Sequence, residues 1–212
     1  MHSLASPENF QKAANHLSDN DALLSEVIKN APLPSFVPHK NYYQELVESI
    51  ISQQLSVKAA ATILKRFKEL FSSDFPAPED ILATDIEVLR SVGLSRQKAS
   101  YIKDLATRVL DGSVQFAHLD SLSNQQIIDE LVQIKGVGIW TVHMFLLFCM
   151  GRLDVLPTGD LGIKNGIYKL YALAEKPTPD DMRMIALNNN WHPYESVASW
   201  YIWHSLDNQP VL

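Results

Sequence analysis

The chain has 212 residues, 46% of them hydrophobic, 20% charged and 9% aromatic, with only 8 glycines, which is the make-up of a folded globular protein. Its one cysteine, Cys149, excludes an internal disulfide, a four-cysteine iron–sulfur cluster and a cysteine-built zinc site. A net charge of -6 argues against a protein that holds nucleic acid by bulk electrostatics. The opening MHSLASPENF has neither the basic start nor the apolar core of a secretory signal. The longest apolar run, Met144 to Met150, is far short of the about 20 residues a membrane span needs. The expected setting is the cytoplasm, or the nucleus in a eukaryote, with no membrane association.

In chain order, the first thirty residues carry much of the acid, together with the later stretch Asp120 to Glu130, and they lead into APLPSFVPHK (31–40), whose three prolines break helix and make it the best linker candidate. Tyr43, Leu46, Val47, Ile50, Ile51 and Leu55 follow the i, i+3, i+4 spacing of a helix with one buried face. Ile63, Leu64, Phe67, Leu70 and Phe71 continue the pattern in a second helix, closed by SSDFPAPED. Pro78, followed by Glu79 and Asp80, suits the first turn of a third. Further helices are expected at 85–91, 96–110, 124–133, 139–150, 161–173, 179–188 and 194–206. No segment alternates with period two, so the expected fold class is all-α.

Charge is unevenly placed. From Arg90 to Arg108 there are five basic residues (Arg90, Arg96, Lys98, Lys103, Arg108) against one acid, Asp104. A local basic face on an acidic protein is therefore expected.

Two stretches resemble each other, LRSVGLSRQKASYI (89–102) and LVQIKGVGIWTVHMFL (131–146). Each reads as a helix end, a glycine-bearing hairpin and a second helix. In the second, Gly136 and Gly138 flank Val137 just before a helix near Trp140. Glycines at that spacing can aim backbone N–H groups at an anion such as phosphate; on the glycines alone, an ordinary helix–helix turn with glycine at its cap is the simpler reading. Further on, LPTGDLGIKNGI places Asp160 where a new helix begins. Aspartate is a favoured N-cap, and the same placement would suit a carboxylate that stabilises a developing cation, since a helix N-terminus favours negative charge.

With LVQIKGVGIWT and VLPTGDLGIKNG in that order, the chain resembles the helix–hairpin–helix DNA glycosylases, and within them DNA-3-methyladenine glycosylase II, the AlkA-like branch. Supporting stretches are SIISQQLSVKAAATI (49–63), GLSRQKASYIKDLA (93–106), MFLLFCMGRLDVLPTGDLGIKNG (144–166) and WHPYESVASWYIW (191–203), so the likeness spans roughly 40 to 206. The 41 residues before Tyr42 leave no room for the β-rich N-terminal domain of the bacterial prototype, which points to a compact form.

The resemblance implies two helical subdomains with the active site in the cleft between them. The expected parts are N-terminal helices (1–40) packing with the C-terminal part, a central bundle (41–155) carrying the hairpin (131–146), and C-terminal helices (156–212) carrying the catalytic aspartate. It implies that Asp160 stabilises the oxocarbenium-like sugar, and that Trp140, Met144 and Trp203 line the base pocket. Gln54 stands at the place of the side chain that wedges into the duplex. Lys135, Gly136, Val137, Gly138 and Thr141 fall in the DNA-gripping hairpin, and the carbonyls of Ile134 and Val137 are the candidates for a structural Na+ or K+, no cofactor being required. Two residues depart from the pattern: Ile139 stands where a basic residue is common, and His143 where many relatives have an acid. His143 is expected either to approach DNA or to be a solvent-exposed helix histidine.

The implied activity is hydrolytic excision of alkylated purines, such as 3-methyladenine and 7-methylguanine, from double-stranded DNA. Trp140 occupies the position where bifunctional relatives carry a nucleophilic lysine, so no strand cleavage is expected. The implied protein is a monomer with no obligate protein partner. The alternatives are a glycosylase for uracil or deaminated purines, and a non-catalytic helix–hairpin–helix DNA-binding protein. Asp160 speaks against the last, because a pure binder gains nothing from an anion beside phosphate.

Overall fold

A computed structural model describes residues 4–206. Among these, twelve α-helices account for the regular structure: α1 (Pro7–Asn20), α2 (Ala22–Lys29), α3 (Tyr42–Ser52), α4 (Val57–Lys68), α5 (Pro78–Ala83), α6 (Ile86–Ser91), α7 (Arg96–Leu110), α8 (Asn124–Leu131), α9 (Ile139–Met144), α10 (Leu161–Leu170), α11 (Pro179–Asn188) and α12 (Glu195–His204). A 3₁₀ turn covers Phe116–Ser121, and α9 runs on as a π-helical turn, Phe145–Cys149. The only β pairing among the described residues is an isolated bridge between Leu4 and Arg152. No described helix is long and apolar enough to cross a membrane.

Local chemistry sets most of the helix starts. Ser6, Asp21, Ser56, Asp85, Ser95, Ser123, Asp160 and Thr178 each cap a helix through a side-chain oxygen that accepts a first-turn amide, satisfying donors the helix cannot pair internally. Prolines open α1, α5 and α11, where a missing N–H costs nothing.

The chain divides into two compact units, residues 1–40 with 143–212, and residues 41–142. This corrects the expected boundary near 155. The residues just after α9 belong with the chain ends because Leu147 and Leu153 are fully buried in a cluster with Phe10, Leu17, Leu24, Ile163, Ile167, Trp191, Val197, Tyr201 and Ile202. The segment 31–40 is irregular, as its prolines require, but it is no free linker. Phe36 is buried, packing edge-on against Phe10 and Phe148 at 4.8 and 5.4 Å, and the amide of His39 donates to the Cys149 carbonyl.

A buried carboxylate organises this first unit. Asp21 Oδ1 accepts the amides of Leu23 and Leu24, capping α2, while Oδ2 accepts the indole N–H of Trp191 at 2.8 Å and the hydroxyl of Tyr171. Burial, and the aspartate it donates to, push the Tyr171 hydroxyl far above the usual tyrosine range. Four donors on one carboxylate compensate its desolvation.

The second unit buries Leu46, Val47, Ile50 and Ile51 of α3, Phe67 of α4, Ile81, Leu89, and Ile102, Leu105 and Ala106 of α7, together with Ile127, Leu131 and Val142. Each large aliphatic in that set contributes about 1.5–3 kcal/mol of transfer energy. Helix α3 stops at Ser52, three residues before the expected Leu55, because Gln54 takes the left-handed φ of +59° and the chain turns there into α4.

Candidate active site and nucleic-acid interface

In the first unit the carboxylate of Asp160 is fixed at the N-terminus of α10. Its Oδ1 accepts the amide of Ile163 at 2.8 Å and the indole Nε1–H of Trp203 at 2.9 Å. Trp203 comes from α12, so the bond depends on close packing of α10 and α12. Two glycines one turn apart permit it. A Cβ at Gly162 would lie 2.9 Å from Trp203 Cδ1 and 3.0 Å from Asp160 Oδ1, and a Cβ at Gly166 would lie 2.3 Å from Ile202 Cγ2. Sequence reasoning assigned neither glycine a role; the four-residue spacing in GIKNG was the available signal.

Trp203 is only 5% exposed and its ring stacks on Phe148 at 5.9 Å. Little of the ring is therefore exposed to line a base pocket. The ring backs the carboxylate, with its only polar atom already engaged. Met144 is half-buried against the same cluster. Of the three residues assigned to the pocket, Trp140, at 47%, is the one with substantial exposed surface. His143 is not the exposed helix histidine that one expectation described. It is half-buried, with Nδ1 shielded and without a hydrogen-bond partner, and burial with the nearby Arg183 guanidinium holds its pKa below the ordinary value.

In the second unit α8, the glycine hairpin and α9 form the expected helix–hairpin–helix. The hairpin closes through Ile134 N–H to the Leu131 carbonyl and Val137 N–H to the Ile134 carbonyl, and α9 begins with Val142 N–H on the Gly138 carbonyl. Gly136 holds φ at +81°, and a Cβ there would fall 2.0 Å from the Tyr101 ring, whereas a Cβ at Gly138 would meet nothing within 4 Å. Gly136 thus serves internal packing, and Gly138 leaves the backbone open to approach from outside.

Two residues assigned to the hairpin grip are also engaged within the protein. The Lys135 amide donates to Asp104 Oδ2 at 3.0 Å and its ammonium lies 3.2 Å from Asp104 Oδ1, so that amide is already spent within the protein. Thr141 is buried, so its side chain belongs to the interior of α9. What the hairpin can offer an anion is the opening turn of α9, whose first amides have no intrahelical acceptor.

The expected basic face is largely spoken for. Arg90 and Arg96 both bind Glu87, Arg108 binds Asp104, Lys103 donates to the Leu82 carbonyl, and Lys98 donates to the carbonyls of Ile51 and Gln53. Gln54, the residue expected to wedge into the duplex, is exposed at the tip of the α3–α4 turn, and its neighbour Gln53 donates to the Gly136 carbonyl at 2.8 Å.

Beside a helix-capping aspartate and a glycine hairpin opening onto a helix stands a family match: the model of the HhH-GPD superfamily base excision DNA repair protein matches residues 47–193. The chain belongs to that superfamily. Among its HhH-GPD relatives, DNA-3-methyladenine glycosylase 1 of Schizosaccharomyces pombe is 36% identical over 200 residues, covering 92% of this chain and 87% of the relative. A putative DNA-3-methyladenine glycosylase of Bacillus subtilis is 31% identical over 205 residues, covering 94% and 70%. Two solved structures are similar in fold. The S. pombe 3-methyladenine DNA glycosylase in complex with abasic DNA has a TM-score of 0.79 at 35% identity, covering 92% of this chain and 97% of that one. A DNA-3-methyladenine glycosidase from Bacillus halodurans has a TM-score of 0.83 at 33% identity, covering 97% and 92%.

Proposed function

We propose that this HhH-GPD protein is a monofunctional DNA glycosylase that extrudes alkylated purines from duplex DNA and hydrolyses their N-glycosidic bond, leaving an abasic site. The observation that carries the reading is the fixed Asp160 carboxylate, with two donors on one oxygen, in a chain that also holds the hairpin. The names of the relatives support the base class.

A base inside a duplex is out of reach, so it must be turned out of the stack. Gln54 would enter the gap, and the start of α9 would hold the backbone phosphate. Purines alkylated at N3 or N7 carry positive charge and leave readily. As the bond breaks its electrons pass to the base, neutralising that charge, and the positive charge moves to the sugar. Asp160, oriented before the reaction, stabilises that cation. Water then adds hydroxide to the anomeric carbon and releases a proton. The exposed ring of Trp140 would hold a cationic base by cation–π attraction of roughly 0.5–2 kcal/mol. Tryptophan here in place of an amine supports hydrolysis without a covalent intermediate. The carbonyls of Ile134 and Val137 are hard oxygen donors suited to a monovalent cation, which would supply positive charge beside the phosphate; the Ile134 carbonyl accepts one internal bond and keeps a second lone pair.

The test is incubation of purified protein with methylated DNA, chromatography of the released bases, and borohydride trapping. Release of 3-methyladenine or 7-methylguanine in the presence of chelator, with no trapped adduct, is the expected result. No released base, or a trapped adduct, would overturn the excision or the monofunctional reading respectively.

A further inference from the structure

One face of α7 braces both DNA-facing elements of the second unit. Tyr101 lies under Gly136 and is held by the Gln97 side chain. Asp104, itself bound by Arg108, takes the Lys135 amide. Lys98 donates to the Ile51 and Gln53 carbonyls at 2.8 and 2.5 Å, closing the C-terminal end of α3 where helix carbonyls lack partners. Gln53 spans the gap, its side-chain amide on the Gly136 carbonyl at 2.8 Å. Between these anchors Gln54 is held left-handed at φ +59°, a conformation that non-glycine residues keep only when their surroundings impose it.

We propose that Lys98 and Gln53 are positioning residues for nucleotide extrusion: they lock the turn bearing Gln54 to the glycine hairpin, so that wedge and phosphate grip meet the duplex as one preorganised element. The proposal rests on the reading that this chain turns a nucleotide out of the stack. It gives Lys98 a job other than the one its charge advertises. A lysine facing phosphate would add to counterion release on binding; a lysine spent on two carbonyls inside the protein would not.

The test uses Lys98→Met, Gln53→Leu and Lys98→Arg in the full chain. The DNA is a duplex with 2-aminopurine beside an abasic-site analogue; its fluorescence rises when the abasic nucleotide is turned out and the 2-aminopurine itself loses stacking. Lys98→Met and Gln53→Leu should bind with the salt dependence of the unmodified protein yet lose at least half of that rise, and Lys98→Arg, which can still reach carbonyls, should recover it. Release of 7-methylguanine should fall about tenfold or more from a fully paired duplex, as for a misplaced reactant, but about threefold or less from a bulge, where extrusion is already accomplished. Gln53 is only half-buried, so its variant carries the test if Lys98→Met does not fold.

Equal losses in both DNA contexts would overturn the proposal. So would a salt slope shallower by about one for Lys98→Met, which would make Lys98 a phosphate contact. If the unmodified protein raises the fluorescence but releases no base, the excision reading fails and the variants' fluorescence alone decides the positioning role.

Discussion

The Trp203 indole and the Ile163 amide converge on a single oxygen of Asp160, at 2.9 and 2.8 Å. One donor is local and the other comes from α12, so the carboxylate's orientation depends on tertiary packing as well as on the helix it caps. Asparagine at 160 would keep an oxygen for both donors while removing the charge. Asp160→Asn should therefore melt near the temperature of the unmodified protein and bind DNA as well or better, while excision falls a hundred- to a thousandfold, roughly 3–4 kcal/mol. Single-turnover release and a thermal melt check this; a fully active variant would remove Asp160 from the reaction.

Gly162 tests the packing that supports the carboxylate. Alanine there places a methyl 2.9 Å from Trp203, and overpacking of this kind costs about 1–3 kcal/mol. The indole must shift away from Asp160, so Gly162→Ala should lose excision as well as stability. Gly159→Ala, where a Cβ meets nothing within 4 Å, should lose neither. Comparing the two variants by melting and base release isolates the contact.

Salt dependence should be shallow. With Arg90, Arg96, Lys98, Lys103 and Arg108 each bonded to a neighbouring group of the protein, this run offers phosphate few uncommitted charges, and a slope of log K on log salt of about −2 to −4 is expected. Anisotropy titrations from low to moderate salt measure it, and a slope near −8 would reveal a large basic footprint.

His143 should make stability depend on pH. Its pKa in the folded chain lies below the ordinary 6.5, through burial first and then the charge of Arg183, which itself pairs with Asp180. The unfolded chain therefore binds the proton more readily, and the stability this group contributes above 6.5 is lost as pH falls through the lowered native value. Denaturant unfolding at a series of pH values should show His143→Gln losing less stability on acidification than the unmodified protein. Identical profiles would refute the assignment.

Asp21→Ala should be among the most damaging substitutions away from the site. It uncaps α2 and leaves the buried Trp191 N–H and the Tyr171 hydroxyl without their acceptor. Each stranded donor costs about 1–3 kcal/mol and the lost cap about 1 kcal/mol. A fall in denaturation midpoint of that size, with the hairpin unit's far-UV signal retained, is the expected outcome; an unchanged midpoint would contradict it.

Much of this was legible in the residue order. Apolar spacing marks α3 and α4, and the glycines of 131–140 and the aspartate of LPTGD mark the hairpin and the cap, because these features are local. The pairing of Trp203 with Asp160 and of Gln53 with Gly136 was not, since each joins residues far apart in the chain. The basic run 90–108 misled for a related reason. Its charges are answered by Glu87, Asp104 and backbone carbonyls, and a count of nearby signs does not reveal whether a side chain is bonded inward. The unit boundary was misplaced because α9 and its π turn form one apolar stretch whose two ends serve different cores.

The first unit is assembled from both ends of the chain, and the second is contiguous. On the ribosome the hairpin-bearing unit has all its residues as soon as Val142 has emerged. The apolar face of α1, with Phe10, Ala13, Ala14 and Leu17, must wait for α12, which begins only at Glu195. For that interval α1 exposes a sticky amphipathic face, and the Asp160 carboxylate gains its second donor only when Trp203 of α12 reaches it.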